Sequence, residues 1–319
     1  MYNVQFPGMG ISMTIDPVAF SIGDFKVYWY GIVIGIGFAL ALFFALKNLR
    51  RFGIKSDGFI DCVLTGLIFG IIGARLFYVI FKWDYYSVHL DELFAIHNGG
   101  LAIYGGVIGA LISACIVAKI KKLPIPALLD IAMMGFLIGQ GIGRWGNFFN
   151  QEAFGTPTDL PWRMVSENTG GVGVHPCFLY ESLWCLLGFF LLWLFSRKFR
   201  KYDGQIFLLY LVWYGLERMV VEGLRTDSLY TPIFGLRVSQ IIAAVTALTG
   251  IVLLIVFRKR TYKAADHFTE GETGAAASDT PVLTEKDTVQ DSPDSVSQEE
   301  NKNPNEVKTE SNINNTKES

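Results

Sequence analysis

Residues 143–155 read GRWGNFFNQEAFG and close an apolar run long enough to cross a bilayer. Arg144, Asn147, Asn150 and Glu152 all stand in this stretch. Charged and amide side chains cost several kcal/mol when placed in hydrocarbon. Either the four are used at a membrane boundary, or they form a solvated loop just outside it. The rest of the chain separates these readings.

Composition points to the bilayer. Of 319 residues, 51% are hydrophobic and only 18% charged, with mean hydropathy +0.36. A soluble domain carries about 25% charged residues. The expected fold is therefore all-α, a polytopic membrane protein. A net charge of -2 hides an asymmetry between basic interhelical loops and an acidic C-terminal tail, so net charge itself argues nothing about nucleic acid; no nucleic-acid partner is expected. Cys62, Cys115, Cys177 and Cys185 lie in or beside apolar runs without a CxxC pair, so they read as small buried hydrophobes. No metal-ligand cluster or nucleotide motif is visible, and no metal or cofactor is expected.

About seven transmembrane helices are predicted, near 29–48, 59–81, 100–119, 127–145, 178–196, 204–223 and 237–257. Residues 1–28 lack the basic cluster of a signal peptide and are expected to stay as an extracytoplasmic or interfacial region. The membrane domain proper is expected over 29–257, with a small extracytoplasmic subdomain at 146–177, where Pro157, Pro161, Gly170, Gly171 and Gly173 supply turns. Residues 258–319 are a basic flank and then a tail too polar to bury a core, expected to be disordered in the cytoplasm. Lys47, Arg50, Arg51 and Lys55 follow the first segment, Lys119, Lys121 and Lys122 the third, Arg197, Lys198, Arg200 and Lys201 the fifth, and Arg258, Lys259, Arg260 and Lys263 the seventh. The positive-inside rule then puts the N-terminus outside and the C-terminus inside.

On that orientation the remaining polar residues gather on the outer side. Tyr214, Arg218, Glu222 and Arg225 follow one another at spacings of four, four and three, one face of a helix. His97 precedes the third segment with Tyr104 beyond it, His175 precedes the fifth, Arg75 lies inside the second, and Tyr28, Trp29 and Tyr30 open the first. Each has a plain reading: a helix-stabilising Arg218–Glu222 pair, a snorkelling Arg75, belt aromatics, and histidines without chemistry. Taken together, arginines with carboxylate partners and a nearby histidine suit an anionic phosphate headgroup.

These residues resemble the bacterial prolipoprotein diacylglyceryl transferases. The resemblance rests on Gly143-Arg144-x-Gly146-Asn147-Phe148-x-Asn150-x-Glu152-x-x-Gly155. It is supported by His97-x-Gly99-Gly100-Leu101-Ala102-x-Tyr104-Gly105, His175-Pro176-x-x-Leu179-Tyr180-Glu181 and Tyr214-Gly215-x-x-Arg218-x-x-x-Glu222-x-x-Arg225, within about residues 15–257. The acidic tail departs from the pattern. The resemblance implies transfer of the diacylglyceryl group of phosphatidylglycerol to the lipobox cysteine thiol of a prolipoprotein signal peptide. A thioether forms and glycerol phosphate leaves. It implies a multi-pass protein of the bacterial plasma membrane with its site toward the extracytoplasmic side. Arg144 and Arg218 are then candidates for a phosphate clamp, and His97 for a general base or headgroup-orienting group. A carboxylate, or ionisation of the thiol on approach to the arginines, could replace that base. Asn147, Asn150, Glu152, Tyr30, Tyr104, Tyr214, Glu222 and Arg225 are expected to line the substrate site. The alternative from another class is a transporter or flippase for an anionic lipid or solute; no paired repeat halves are visible.

Overall fold

In the computed structural model, residues 1–95, 99–226 and 237–267 are described, all within the unit Met1–Ala277. Among the described residues the long helices are α1 (Trp29–Asn48), α2 (Ser56–Phe81), α4 (Ile103–Ile120), α5 (Ile125–Asn150), α6 (Cys177–Lys198), α7 (Gln205–Leu224) and α8 (Val238–Val256), with a single turn α3 (Trp83–Tyr86) after α2. Each long helix coincides with one expected span. Six of them are long and apolar enough to cross a membrane. The difference is α7, which matches the others in length but carries Glu217, Arg218 and Glu222. The protein is a mostly helical, multi-pass membrane protein.

Helix packing is built on small residues, as expected where apolar side chains gain nothing by leaving lipid. A Cβ added at Gly73 of α2 would sit 2.5 Å from the carbonyl oxygen of Gly105 in α4, and one at Gly109 would sit 2.3 Å from that of Phe69. The two backbones thus touch directly. Half of α5's apolar window is buried, against 17% for α1, α2, α4 and α8, so α5 is the central helix. Its Ile131, Met134 and Leu137 are fully enclosed. Helix α5 also runs on through Asn150, past the expected end at 145. Arg144, Asn147 and Asn150 therefore stand on a helix and not in a loop.

The expectation of an all-helical molecule needs a small β layer added. Strands β1 (Tyr2–Phe6) and β2 (Ile11–Ile15) form an antiparallel hairpin that β5 (Val165–Ser166) extends in the order β2-β1-β5. A second hairpin, β3 (Val18–Ile22) with β4 (Phe25–Tyr28), leads directly into α1. Val4, Phe6 and Ile15 from the N-terminal strands pack with Met164 and Val174 from the insertion and with Phe148 and Phe178 from the facing ends of α5 and α6. Gly8 lies against Pro161 so closely that a Cβ would be 2.1 Å from the proline carbonyl oxygen. The N-terminal region and the insertion are one layer over one end of the bundle.

The opposite end is closed by ions. Arg200 Nε binds Asp130 Oδ2 at 3.1 Å, and its Nη2 binds Asp203. Asp130 accepts the backbone N–H of Gly204 and Phe207 at 2.9 and 2.8 Å, and Asp203 accepts that of Ala264 at 2.7 Å. Arg200, counted in the sequence among exposed loop charges, is in fact buried. Ala264, in the expected basic flank and tail, is fastened to this network, and the chain beyond residue 267 lies outside the described residues.

Candidate active site

One carboxylate joins the two candidate arginines. Glu181, near the start of α6 and 1% exposed, accepts a hydrogen bond from Arg218 Nη1 of α7 on Oε1 at 2.7 Å and forms an ion pair through Oε2 with Arg144 Nε of α5 at 2.8 Å, a contact whose angle makes no hydrogen bond. Glu222, one turn further along α7, takes Arg218 Nη2. Both guanidinium groups are thus oriented by buried carboxylates, while their own side chains remain 22% and 15% exposed. A guanidinium carries five N–H donors. The described hydrogen bonds engage one donor on Arg144 and two on Arg218, leaving donors for an anion presented from the exposed side.

The end of α5 folds back to complete the patch. Gln151 caps the helix in the left-handed region at φ 52°, and Ala153 follows at φ 57°. Gln151 is itself buried, with Nε2 donating to the Phe148 carbonyl at 2.6 Å. This reversal returns Glu152 over the last turn, where Oε1 accepts Asn147 Nδ2 at 2.9 Å and Asn150 Nδ2 at 3.5 Å. Asn147 Oδ1 in turn accepts Arg144 Nη1 at 3.5 Å. Four of the residues in the opening stretch are therefore one hydrogen-bonded string.

Glycines in the quoted motifs make room for close approaches. The Tyr30 ring lies on α5 at Gly146, where a Cβ would be 2.6 Å from the ring. Tyr30 and Asn150 also line a cleft of ≈ 620 Å³ between α1 and the β3–β4 hairpin. Gly155 forms a bridge to Arg225, donates its N–H to the His175 carbonyl at 2.9 Å, and could not accept a Cβ within 2.7 Å of His175. Thr156 N–H reaches the Leu224 carbonyl at 2.7 Å, so the end of α7 is sewn to the insertion. Tyr214 stacks on Tyr210 at 5.6 Å, whose hydroxyl donates to Gln140 Oε1 at 3.3 Å.

Not every expected residue joins this cluster. Tyr104 is half-exposed at the start of α4, and no described hydrogen bond connects it to the arginines. His97 lies outside the described residues. Its flanks do not: Arg75 donates to the carbonyls of Glu92, Leu93, Gly99 and Gly100 at 2.6–3.1 Å. Arg75 is buried and fastens the loop, so it does not snorkel. His175 makes a 3.2 Å contact from Nδ1 to the Tyr180 hydroxyl, which also accepts Trp162 Nε1 at 2.7 Å. Two carboxylates escaped sequence reasoning as site residues. Glu181 was visible only as the end of a motif. Glu217, 4% exposed and with neither oxygen hydrogen-bonded, faces the charges of Glu181, Arg144 and Arg218. The available signal was a carboxylate inside an otherwise apolar helix.

Fold and site together define a multi-pass membrane protein whose central helices hold a pair of carboxylate-anchored arginines at one end. A family model described as prolipoprotein diacylglyceryl transferase matches residues 17–256. A relative from Finegoldia magna, named phosphatidylglycerol–prolipoprotein diacylglyceryl transferase, is 46% identical over 249 residues, covering 78% of this chain and 98% of its own. Relatives of the same name from Streptococcus pneumoniae and Bacillus licheniformis are 45% and 44% identical over 264 and 254 residues, covering 81% and 77% of this chain and 99% and 93% of theirs. The chain belongs to the prolipoprotein diacylglyceryl transferase family.

Proposed function

We propose that this protein transfers the diacylglyceryl group of phosphatidylglycerol to the lipobox cysteine thiol of a prolipoprotein signal peptide. In that step the cysteine sulfur attacks the glycerol carbon, a C–S bond forms, and the C–O bond to phosphate breaks. The electron pair leaves with glycerol phosphate. The thiol proton passes to a base, because a free thiol with pKa near 8.5 is mostly protonated at neutral pH. The observation that carries the reading is Glu181 holding Arg144 and Arg218 from two helices on its two oxygens. Such donors need no reorganisation when negative charge builds up on a leaving phosphate, and low dielectric strengthens them. Asn147, Asn150 and Glu152 are suited to glycerol headgroup hydroxyls, with Tyr30 and Tyr214 as walls. His97 is the candidate base, and Arg75 holds the described residues on either side of it.

The transport alternative has no comparable support. The relatives are named as transferases, and the arginine cluster lies toward one end of α5, α6 and α7 instead of at mid-depth. Incubating the purified protein with phosphatidylglycerol and a lipobox peptide should yield diacylglyceryl peptide and glycerol phosphate. Their absence with folded protein would sink the transferase reading. The clamp end is assigned to the extracytoplasmic side of the bacterial plasma membrane on loop charge. A cysteine introduced at Asp24 should therefore react with an impermeant maleimide on intact cells, and one at Ser56 should not; the reverse pattern would invert the topology.

A further inference from the structure

The end of the bundle remote from the arginine pair carries a second cationic hollow. A cavity of ≈ 590 Å³ opens where α6 turns into α7 beside the end of α8. Lys198, Lys201 and Arg258 line it, together with the apolar Phe199 and Leu254. Among the described residues these three cations enter no ion pair. Arg200 also borders the cavity, but its guanidinium is committed to Asp130 and Asp203.

Three cations that line one cavity and enter no ion pair among the described residues ask for an anion with several acceptor oxygens, and a phosphate meets that description. The walls identify its carrier. Phe199 is 60% exposed and Leu254 stands on a membrane helix, so a ligand with acyl chains covers surface that free phosphate would leave bare. A helix rising roughly 1.5 Å per residue separates Lys198 from Glu181 by about 25 Å, most of a bilayer's hydrocarbon thickness. We propose that this cavity binds the phosphate headgroup of an anionic glycerophospholipid in the leaflet bordering the α6–α7 turn, a site distinct from the Arg144–Arg218 cluster.

The test is native mass spectrometry of the full chain in uncharged detergent, titrated with phosphatidic acid or with phosphatidylcholine of the same acyl chains. Wild-type protein should retain one more phosphatidic acid than the K198A/K201A/R258A variant, whose affinity at this site should fall on the order of a hundredfold. Lys201→Ala alone removes one exposed cation, so it tests the site even where the triple variant folds poorly, and should weaken retention roughly fivefold. Phosphatidylcholine should not be retained there. Identical retention by wild-type and both variants, or equal retention of the two lipids, would overturn the proposal. Calorimetric uptake of inorganic phosphate by wild-type but not by the triple variant, with no extra lipid retained, would overturn its lipid assignment.

Discussion

At the scale of single residues, the site is a matter of which charge leans on which. Arg144 has one buried anchor, and its loss removes a donor from the clamp without removing any large packing surface. Arg144→Ala should therefore insert in the membrane normally while transfer falls on the order of a thousandfold, the scale seen for single electrostatic donors. Wild-type turnover in that variant would dismiss the clamp. Glu181 is different, because both arginines depend on it. Glu181→Ala leaves two partly buried cations short of a partner, at a cost of about 3–5 kcal/mol. It should lower Tm as well as activity, whereas Arg144→Ala should lower chiefly activity. Arg75 acts through geometry, its flat fork meeting four carbonyls that one ammonium cannot match. In Arg75→Lys, activity should drop although the positive charge is kept; an unchanged kcat would show that the residues flanking His97 need no such fastening.

At the scale of elements, close contact between backbones decides what fits. The Tyr30 ring occupies the space beside Gly146, so Gly146→Ala should displace it and cut activity about tenfold, at the lower end of what small misplacements cost. The shared space predicts non-additivity: with Tyr30→Ala already present, adding Gly146→Ala should cost little more. Two independent losses in the double variant would separate the residues. On α2 and α4, Gly73→Ala meets the Gly105 carbonyl and not a yielding side chain. Overpacking of that kind costs about 1–3 kcal/mol, readable as a fall in Tm. Sequence periodicity foretold where these helices run, because apolar runs of spanning length are a local property. It did not foretell that α5 continues to Asn150. The apolar signal fades once Arg144 and Asn147 enter, while the hydrogen-bonded helix goes on until Gln151 adopts positive φ.

At the scale of the whole molecule, the two ends are built differently. One is sealed by the β layer that residues 1–15 and the insertion make together, the other by the Asp130–Arg200–Asp203 network. Because Ala264 and Tyr262 are bonded to Asp203, a truncation after His267 should leave Tm and transfer unchanged. A truncation after Arg260 should lower Tm by exposing Asp203 and loosening Arg200. Equal Tm for the two truncations would mean that this strap contributes nothing. Arg200→Ala should be the more damaging change, since it leaves Asp130 and Asp203 buried without their cation.

Taken by itself, the sequence determined the membrane class and the approximate position of each described long helix, and it singled out Arg144 and Arg218 as costly charges in apolar runs. Those follow from local hydropathy and from the expense of placing charge in an apolar run. Only the tertiary structure decided that Glu181 joins Arg144 to Arg218, that Arg200 is buried instead of lying among the exposed loop cations, and that residues 1–15 and the insertion form one layer. Each of these links residues far apart in the chain: Glu181 and Arg218, Arg200 and Asp130, Val4 and Ser166. A carboxylate in a run of leucines announces its cost, but its partner is named only when another helix arrives beside it.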